Sequence, residues 1–312
     1  MGQAKTMRKI AARFGIFSLG IFISLLLRPA FSPAAEVFVL KSNDIPAYEE
    51  VLRGFREVVG DSAFETFSLK GSPASAAQAV PTAQASRPSV ILAVGGESAR
   101  VAREQLAGIP TVFSMVLDPT EFQKNEKITG VNFQVPARAQ FQALGSILPK
   151  ARRIGVIYDP ALSLFIIRDG RQAAAALNLT LVEKPISSSN EIANAIKEMI
   201  WTVDALWMIP DQTVVSKESF RYMLEATLNR KVPILTFSQS FVKGGALLAL
   251  APNYQDMGRQ AGRLVQKILG GASPGSLPSA HPQGYLFLNL NTANALSISI
   301  PPEILQKAEQ IQ

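Results

Sequence analysis

Short apolar runs alternate with helical patterns from residue 36 onward, and this alternation restricts the possible folds more than any other feature. The runs 36–40, 89–95 and 109–119 predict strands, and the stretches between strands carry apolar residues at helical spacing. Continuous apolar strands separated by helices are typical of parallel sheets with helices on both faces. About ten such units are too many for one compact sheet, so the sequence predicts an α/β fold with two doubly wound parallel-sheet lobes. The Ala-, Ser- and Pro-rich stretch 71–88 has the composition of a linker, but Ala and Gln dominate its middle, so we predict a short helix interrupted near Pro81.

Ligands of such sheets bind beyond the carboxyl ends of the strands. Polar and aromatic residues gather at six predicted strand ends: Lys41 to Asp44, Gly95 to Ser98, Leu117 to Pro119, Tyr158 to Pro160, Pro210 to Gln212 and Thr236 to Gln239. We therefore expect the functional site where these ends meet.

The positive charge of the chain is concentrated at its N-terminus. Five of the 31 basic residues lie in the first 34 positions, which contain no acid, so 26 basic and 24 acidic residues remain in the body. A nearly neutral body without a basic block argues against nucleic-acid binding.

The basic N-terminus is followed by an apolar run of 13 residues, 15–27, and then by small residues. This three-part pattern predicts a secretory signal over residues 1–34, cleaved before Ala35, and hence a periplasmic protein. The alternative is an uncleaved membrane anchor, which would make the chain a membrane-anchored ligand-sensing module, although the run is shorter than the ~20 residues that a spanning helix needs.

The residue inventory excludes several kinds of chemistry. The chain has no cysteine and a single histidine, which argues against disulfides, thiolate chemistry, a transition-metal site or any other cofactor. The segment from Gly96 to Arg100 lacks the second glycine of a nucleophile elbow, and the chain contains neither a Walker motif nor G-x-G-x-x-G. A hydrolase that uses Ser98 with His281, or a carboxylate pair, remains the alternative from the enzyme class.

Binding of a small zwitterion fits the strand ends better than catalysis does. The glycine turn at Gly95 and Gly96 opens a helix whose free amides and dipole favour a carboxylate. An aspartate at a facing strand end would accept from an ammonium group. Tyr158 and Phe237 would pack on the ligand from the rim of the site.

An ordered set of motifs resembles the tryptophan/tyrosine-type family of ABC-transporter substrate-binding proteins. The set includes AVGGESARVA, IPTVFSMVLDPTEF, RIGVIYDP, MIPDQTVVS and PILTFSQSFVKGGALLAL, and it extends over essentially the whole chain after the predicted signal. The resemblance implies a type I periplasmic-binding fold with three crossovers, a hinge and an interlobe cleft. It also implies delivery of a small-molecule ligand to an inner-membrane ABC permease with a cytoplasmic ATPase. By similarity, lobe 1 comprises residues 36–134 and 248–283, lobe 2 comprises 135–247 and 284–312, and the receptor is a monomer.

The resemblance also implies site residues. The family's first-lobe loop, often Gly-Thr-Pro-Ala, matches Gly95 to Ser98, and its Asp-Pro, tyrosine-loop and Pro-x-Asp-Asn motifs match positions around Asp118, Tyr158 and Asp211. The candidate ligand-binding residues are Asn43, Gly95, Gly96, Glu97, Ser98, Asp118, Tyr158, Asp211 and Phe237. The loop threonine and the Asn-Ser pair that follows the family's tyrosine are absent. These departures leave open a ligand other than an aromatic amino acid, and Glu97 would repel a carboxylate if it pointed inward.

Overall fold

A computed structural model describes residues 36–61, 64–122 and 125–311. The predicted signal, residues 1–34, and the cleavage position before Ala35 lie outside the described residues. None of the described helices has both the length and the hydrophobicity that crossing a bilayer requires.

Twelve strands and eleven α-helices alternate along the described chain. The strands are β1 Val37–Lys41, β2 Phe64–Ser68, β3 Val90–Val94, β4 Thr111–Val116, β5 Ile128–Asn132, β6 Arg153–Tyr158, β7 Thr180–Pro185, β8 Ala205–Trp207, β9 Ile234–Thr236, β10 Leu248–Pro252, β11 Gly284–Asn289 and β12 Glu309–Ile311. The helices are α1 Pro46–Val59, α2 Pro73–Ser86, α3 Gly96–Gln105, α4 Ala137–Ile147, α5 Pro160–Ala176, α6 Ile192–Met199, α7 Lys217–Asn229, α8 Gln239–Lys243, α9 Tyr254–Leu269, α10 Leu290–Leu296 and α11 Pro302–Leu305.

The strands form two sheets, as the alternation predicts. The first sheet is wholly parallel, with the order β2-β1-β3-β4-β5. The second has the order β12-β11-β10-β9-β8-β6-β7, and only β11 runs antiparallel to its neighbour β10. Apolar side chains of β1 and β3 are fully buried on both faces, which explains why these strands are continuous apolar runs.

The chain passes between the lobes three times: after β5, after β10 and before β11. The expected boundary of lobe 1 at residue 248 needs correction, because β10 pairs with β9 and β11 of the second sheet. The return to lobe 1 comes only after Pro252. An apolar run predicts a strand but carries no information on which sheet supplies its hydrogen-bond partners.

Helix α9 holds this return segment against lobe 1 by very close packing on α1. A side chain at Gly258 would overlap the carbonyl oxygen of Val51, and one at Gly54 would overlap that of Gln255. Glycine at these two positions allows the helix backbones to touch, and α9 then also covers β3, β4 and β5.

One local prediction is wrong, and one strand has an irregularity that the sequence does not predict. Helix α2 runs unbroken through Pro81, because alanines with high helix propensity surround the proline and Ala79 and Ala83 bury one face. Strand β4 is irregular at its carboxyl end, where its register with β5 shifts and Met115 has a φ of 59°. A residue other than glycine in this conformation is strained, and such strain is concentrated at functional edges.

Candidate functional site

The turn between β3 and α3 requires a glycine at its first position. Gly95 has a φ of 102°, and its amide donates to the carbonyl of Ser114 at 2.8 Å. A Cβ at this position would come closer than 3.0 Å to the hydroxyls of Tyr48 and Ser42. The tight turn therefore places the start of α3 beside the ends of β1 and β4.

Of the first four backbone amides of α3, two are hydrogen-bonded and two are not. The Ser98 amide donates to Ser42 Oγ at 2.9 Å, and the Ala99 amide donates to the Gly95 carbonyl at 3.1 Å. The amides of Gly96 and Glu97 have no partner among the described residues. Two free N–H groups at a helix N-terminus favour an anion.

Ser98 is not available to a ligand or as a nucleophile. Its side chain is fully buried, and its Oγ donates to the Gly95 carbonyl at 2.9 Å. We therefore correct its predicted role to a structural one within the turn. His281, the base of the alternative hydrolase mechanism, contacts Asn132 instead.

Glu97 is half-buried and lies in the depression between α2 and α3, together with Pro73, Ala76 and Arg100. Its position in this depression argues against the predicted conflict with a carboxylate at the start of α3.

The other two first-lobe candidates are exposed at strand ends. Asn43 Oδ1 accepts from the amide of Asp44 at 2.8 Å. Asp118 Oδ1 accepts from the amide and the hydroxyl of Thr120, at 2.9 and 2.6 Å. Asp118 Oδ2 has no partner among the described residues, so this carboxylate keeps one oxygen for a ligand.

Asp211 is 1% exposed, and its carboxylate is saturated by its own lobe. Its Oδ2 accepts from the Asp159 amide at 2.7 Å, and its Oδ1 accepts from the amides of Thr213 and Val214 at 2.9 and 3.2 Å. The predicted role as an ammonium acceptor is therefore replaced by a structural one, which ties the loop after β6 to the loop after β8.

The two candidate aromatics differ in position. Tyr158 is buried in the lobe 2 core and donates its hydroxyl to Glu183 Oε2 at 3.0 Å. Burial, together with this hydrogen bond, raises the pKa of Tyr158. It is not a rim residue. Phe237 is half-buried just beyond β9 and packs edge-on against Phe241, with ring centroids 5.4 Å apart.

Both lobes and two crossovers together line a cavity of about 260 Å³. The lining residues are Leu117, Pro119, Thr120, Asn132, Phe133, Gln134, Pro136, Phe165, Ile166, Asp169 and His281. Leu117 follows β4 of lobe 1, whereas Phe165 belongs to α5 of lobe 2. None of the nine predicted site residues lines this cavity, although Asp118 lies between two that do.

Sequence reasoning missed the polar groups of this cavity. Asn132 Oδ1 and Gln134 Nε2 are buried without hydrogen-bond partners. Asn132 is the last residue of β5, so the rule that singled out the other strand ends also applies to it. The unpaired state of the two atoms depends on packing, which the sequence does not display.

Large apolar side chains are exposed beyond strand ends of both lobes, and one of them, Leu117, lines the cavity. Leu117, Ile45 and Leu162 are 42%, 39% and 44% exposed on the segments that follow β4, β1 and β6. Exposed apolar groups at strand ends of both lobes are suited to an apolar ligand surface. Within the described residues, no cluster of three or more His, Cys, Asp or Glu side chains is arranged to hold a metal ion.

A family model described as ABC transporter substrate binding protein matches residues 37–312. A tyrosine-binding protein of Clostridioides difficile (strain R20291) is 26% identical over 271 residues, which cover 81% of this chain and 78% of the relative.

Solved structures share the fold. The ligand-free, open structure of a substrate binding protein with adhesive properties from Clostridium difficile matches with a TM-score of 0.74 at 21% identity, covering 88% of this chain and 98% of that one. An ABC domain in complex with L-Trp from Streptococcus pneumonia matches with a TM-score of 0.61 at 22% identity, covering 89% and 100%. These similarities, together with that to a leucine-binding protein from Thermotoga maritima at a TM-score of 0.52, confirm the type I periplasmic-binding fold.

Proposed function

Because the chain belongs to the family of ABC transporter substrate-binding proteins, we propose that it closes its two lobes on an amino-acid-like solute. The observation that carries this proposal is the cavity that both lobes and two crossovers line together. A ligand held there contacts both lobes at once, so binding energy favours the closed arrangement over the open one.

The start of α3 is the proposed carboxylate site. The free amides of Gly96 and Glu97 supply two donors, and the positive end of the helix dipole adds to them. Glu97 does not oppose this role, because its side chain lies between α2 and α3.

Asp118 is the proposed partner of the ligand's ammonium group. It follows β4, and β4 neighbours β3, from which the glycine turn departs. Adjacent strands lie about 5 Å apart, a separation that suits the short distance between the charged groups of an α-amino acid. The exposed Leu117 next to it offers an apolar surface to the side chain.

The relatives support this class of ligand. A tyrosine-binding protein and a domain in complex with L-Trp are among the similar proteins. We propose that the receptor acts as a monomer in the periplasm after export and delivers its ligand to an ABC permease in the inner membrane.

Substitution of Gly96 tests the carboxylate site with a matched pair of variants. Gly96 is the first residue of α3, a position that tolerates proline, and a Cβ there would meet nothing within 4 Å. Gly96→Pro removes one donor, whereas Gly96→Ala keeps it. We expect Gly96→Pro to weaken binding of the preferred amino acid about tenfold, which corresponds to ~1.4 kcal/mol, and Gly96→Ala to change it little.

Isothermal titration calorimetry with the twenty amino acids provides the measurement. A wild-type protein that binds none of them contradicts the ligand class. Equal affinity of the proline and alanine variants contradicts the carboxylate site.

A further inference from the structure

Two unpaired polar atoms belong to residues that are close in sequence, Asn132 at the end of β5 and Gln134 in the first crossover. Asn132 is 8% exposed, and its Nδ2 lies 3.3 Å from His281 Nε2, which leaves Oδ1 without a partner. Gln134 Nε2, two residues further along, is also buried and unpaired. Native proteins pair nearly all buried polar groups, so two neighbouring exceptions require an explanation.

The two atoms are chemically complementary to one kind of ligand group. Asn132 Oδ1 accepts a hydrogen bond and Gln134 Nε2 donates one, and both residues line the cavity. A single group that donates to the first and accepts from the second satisfies both. Hydroxyl and carboxamide groups have this property, whereas an ammonium only donates and a carboxylate only accepts.

The charge of the cavity disfavours an anionic group there. No lysine or arginine is among the lining residues, and the one histidine, His281, already contacts Asn132 through Nε2. The only acid among them, Asp169, uses Oδ2 to accept from the Ala137 amide at 2.8 Å. A carboxylate buried in this cavity would lose its hydration without gaining a lysine or arginine partner.

The order of strands in the first sheet gives the distance between Asn132 and the proposed carboxylate site. The glycine turn follows β3, Leu117 follows β4, and Asn132 ends β5, and these strands are consecutive in the sheet. Two strand spacings amount to about 10 Å. A ligand whose charged head lies at Gly96 therefore runs its apolar body past Leu117 and brings its far end to Asn132.

We propose that Asn132 and Gln134 form a subsite for an uncharged hydroxyl or carboxamide at the distal end of an apolar ligand side chain. This subsite rests on the proposed function and adds to it the residues that hydrogen-bond the distal group of the ligand side chain. Neither atom is reached by solvent in the present arrangement. The terminal amide torsions of Asn and Gln are soft, so each group turns toward the cavity without leaving its preferred side-chain conformation.

L-tyrosine and L-phenylalanine are the matched probes, since they differ only in the distal hydroxyl, and L-4-carboxyphenylalanine adds an anionic tip. Gln134→Met removes the unpaired donor at nearly constant size, and Asn132→Leu removes the acceptor. Gln142→Met is the control, because Gln142 is exposed on α4 and its side chain makes no hydrogen bond within the described residues.

Calorimetry of these probes decides the proposal. We expect the wild-type protein to prefer L-tyrosine over L-phenylalanine at least tenfold and to reject the anionic analogue. Both subsite variants should bring the preference close to one, with the affinity for L-phenylalanine maintained, while the control keeps the wild-type preference. A thermal melt of ligand-free Gln134→Met should show no loss of stability, because an unpaired buried donor is removed.

The possible failures are distinguishable. A wild-type protein that binds both amino acids equally, or variants that keep the tyrosine preference, overturn the subsite but leave the proposed function in place. A wild-type protein that binds only amino acids whose side chains lack a hydroxyl or carboxamide also overturns the subsite alone. Binding of no amino acid overturns both.

Discussion

The two lobes differ in whether the polar groups at their strand ends are hydrogen-bonded within the lobe. In lobe 1, the amides of Gly96 and Glu97 and one oxygen of Asp118 have no partner among the described residues. In lobe 2, the carboxylate of Asp211 and the hydroxyl of Tyr158 are satisfied within the lobe. An acid at a strand end is therefore a candidate for ligand contact only where it retains unused hydrogen-bonding capacity. In our proposal, polar recognition comes from lobe 1 and the crossovers, and lobe 2 supplies a preorganised surface.

The largest expected effect on stability is that of Asp211→Ala. The change deprives the buried amide of Val214 and the partly buried amides of Asp159 and Thr213 of a charged acceptor. We expect the free energy of unfolding to fall by about 3 kcal/mol or more, measured by urea titration. Ligand affinity of the folded fraction should remain within about twofold.

Asp118→Ala is the matched change on the opposite wall. Asp118 is exposed, and within the described residues its side chain accepts hydrogen bonds only from Thr120. We therefore expect the free energy of unfolding to change by less than about 1 kcal/mol. Affinity for the preferred amino acid should fall about tenfold, or ~1.4 kcal/mol. If Asp211→Ala lowered affinity and spared stability while Asp118→Ala did the reverse, the comparison between the lobes would be wrong.

A smaller effect is expected from Gly95→Ala. The substitution forces a side chain into the left-handed region at a φ of 102° and against the hydroxyls of Tyr48 and Ser42. Strain of this kind costs about 1 to 3 kcal/mol. Thermal unfolding should show the loss, and Gly96→Ala, one residue further on, should be close to neutral. Equal melting temperatures of the two variants would contradict the requirement for glycine at residue 95.

The sequence predicts the elements better than the directions of their polar side chains. Apolar runs place strand ends at Gly95, Asp118 and Asp211, and the structure puts loops at these positions. Whether an acid there faces the cleft depends on amides from another loop, as the contact of Asp211 with the Asp159 amide shows. That contact joins residues 52 positions apart, and no local pattern reports it.

The polar groups of the cavity show a second limit of prediction from sequence, which concerns burial. The strand-end rule applies to Asn132 as well as to Asn43, because Asn132 ends β5 and Asn43 lies just beyond β1. What distinguishes them is burial, since Asn43 is exposed whereas Asn132 is packed between two crossovers beside His281. The pairing of Asn132 with a residue 149 positions away is a property of the assembled hinge.

Ser42→Ala measures how far the glycine turn depends on its one long-range cap. The hydroxyl of Ser42 accepts from the buried Ser98 amide at 2.9 Å. Loss of a capping oxygen of this kind typically costs about 1 kcal/mol. Urea titration should show this loss, with Ser89→Ala as the control, because Ser89 is exposed just before β3 and its hydroxyl makes no hydrogen bond within the described residues. A variant as stable as wild type would mean that the turn holds its geometry without the cap.

The smallest effect should come from Tyr158→Phe, which separates a core tyrosine from a rim tyrosine. The hydroxyl contributes one hydrogen bond to Glu183, so we expect a loss of about 0.5 to 1.5 kcal/mol in the free energy of unfolding. Ligand affinity should not change, whereas a rim tyrosine that bonds to the ligand would show a clear loss.

The pH dependence of the Tyr158→Phe difference gives a second check. The Arg171 guanidinium holds the pKa of Glu183 below its ordinary value, and burial raises that of Tyr158. At neutral pH the pair is therefore a neutral donor and a charged acceptor. Because the folded pKa of Glu183 is lowered, its stabilising contribution is complete above the ordinary glutamate pKa and is lost as the pH falls through the folded value. The difference between Tyr158→Phe and wild type should stay constant from neutral pH down to that range and shrink only below it. A difference that already disappears near neutral pH would contradict the assignment of Glu183 as the acceptor.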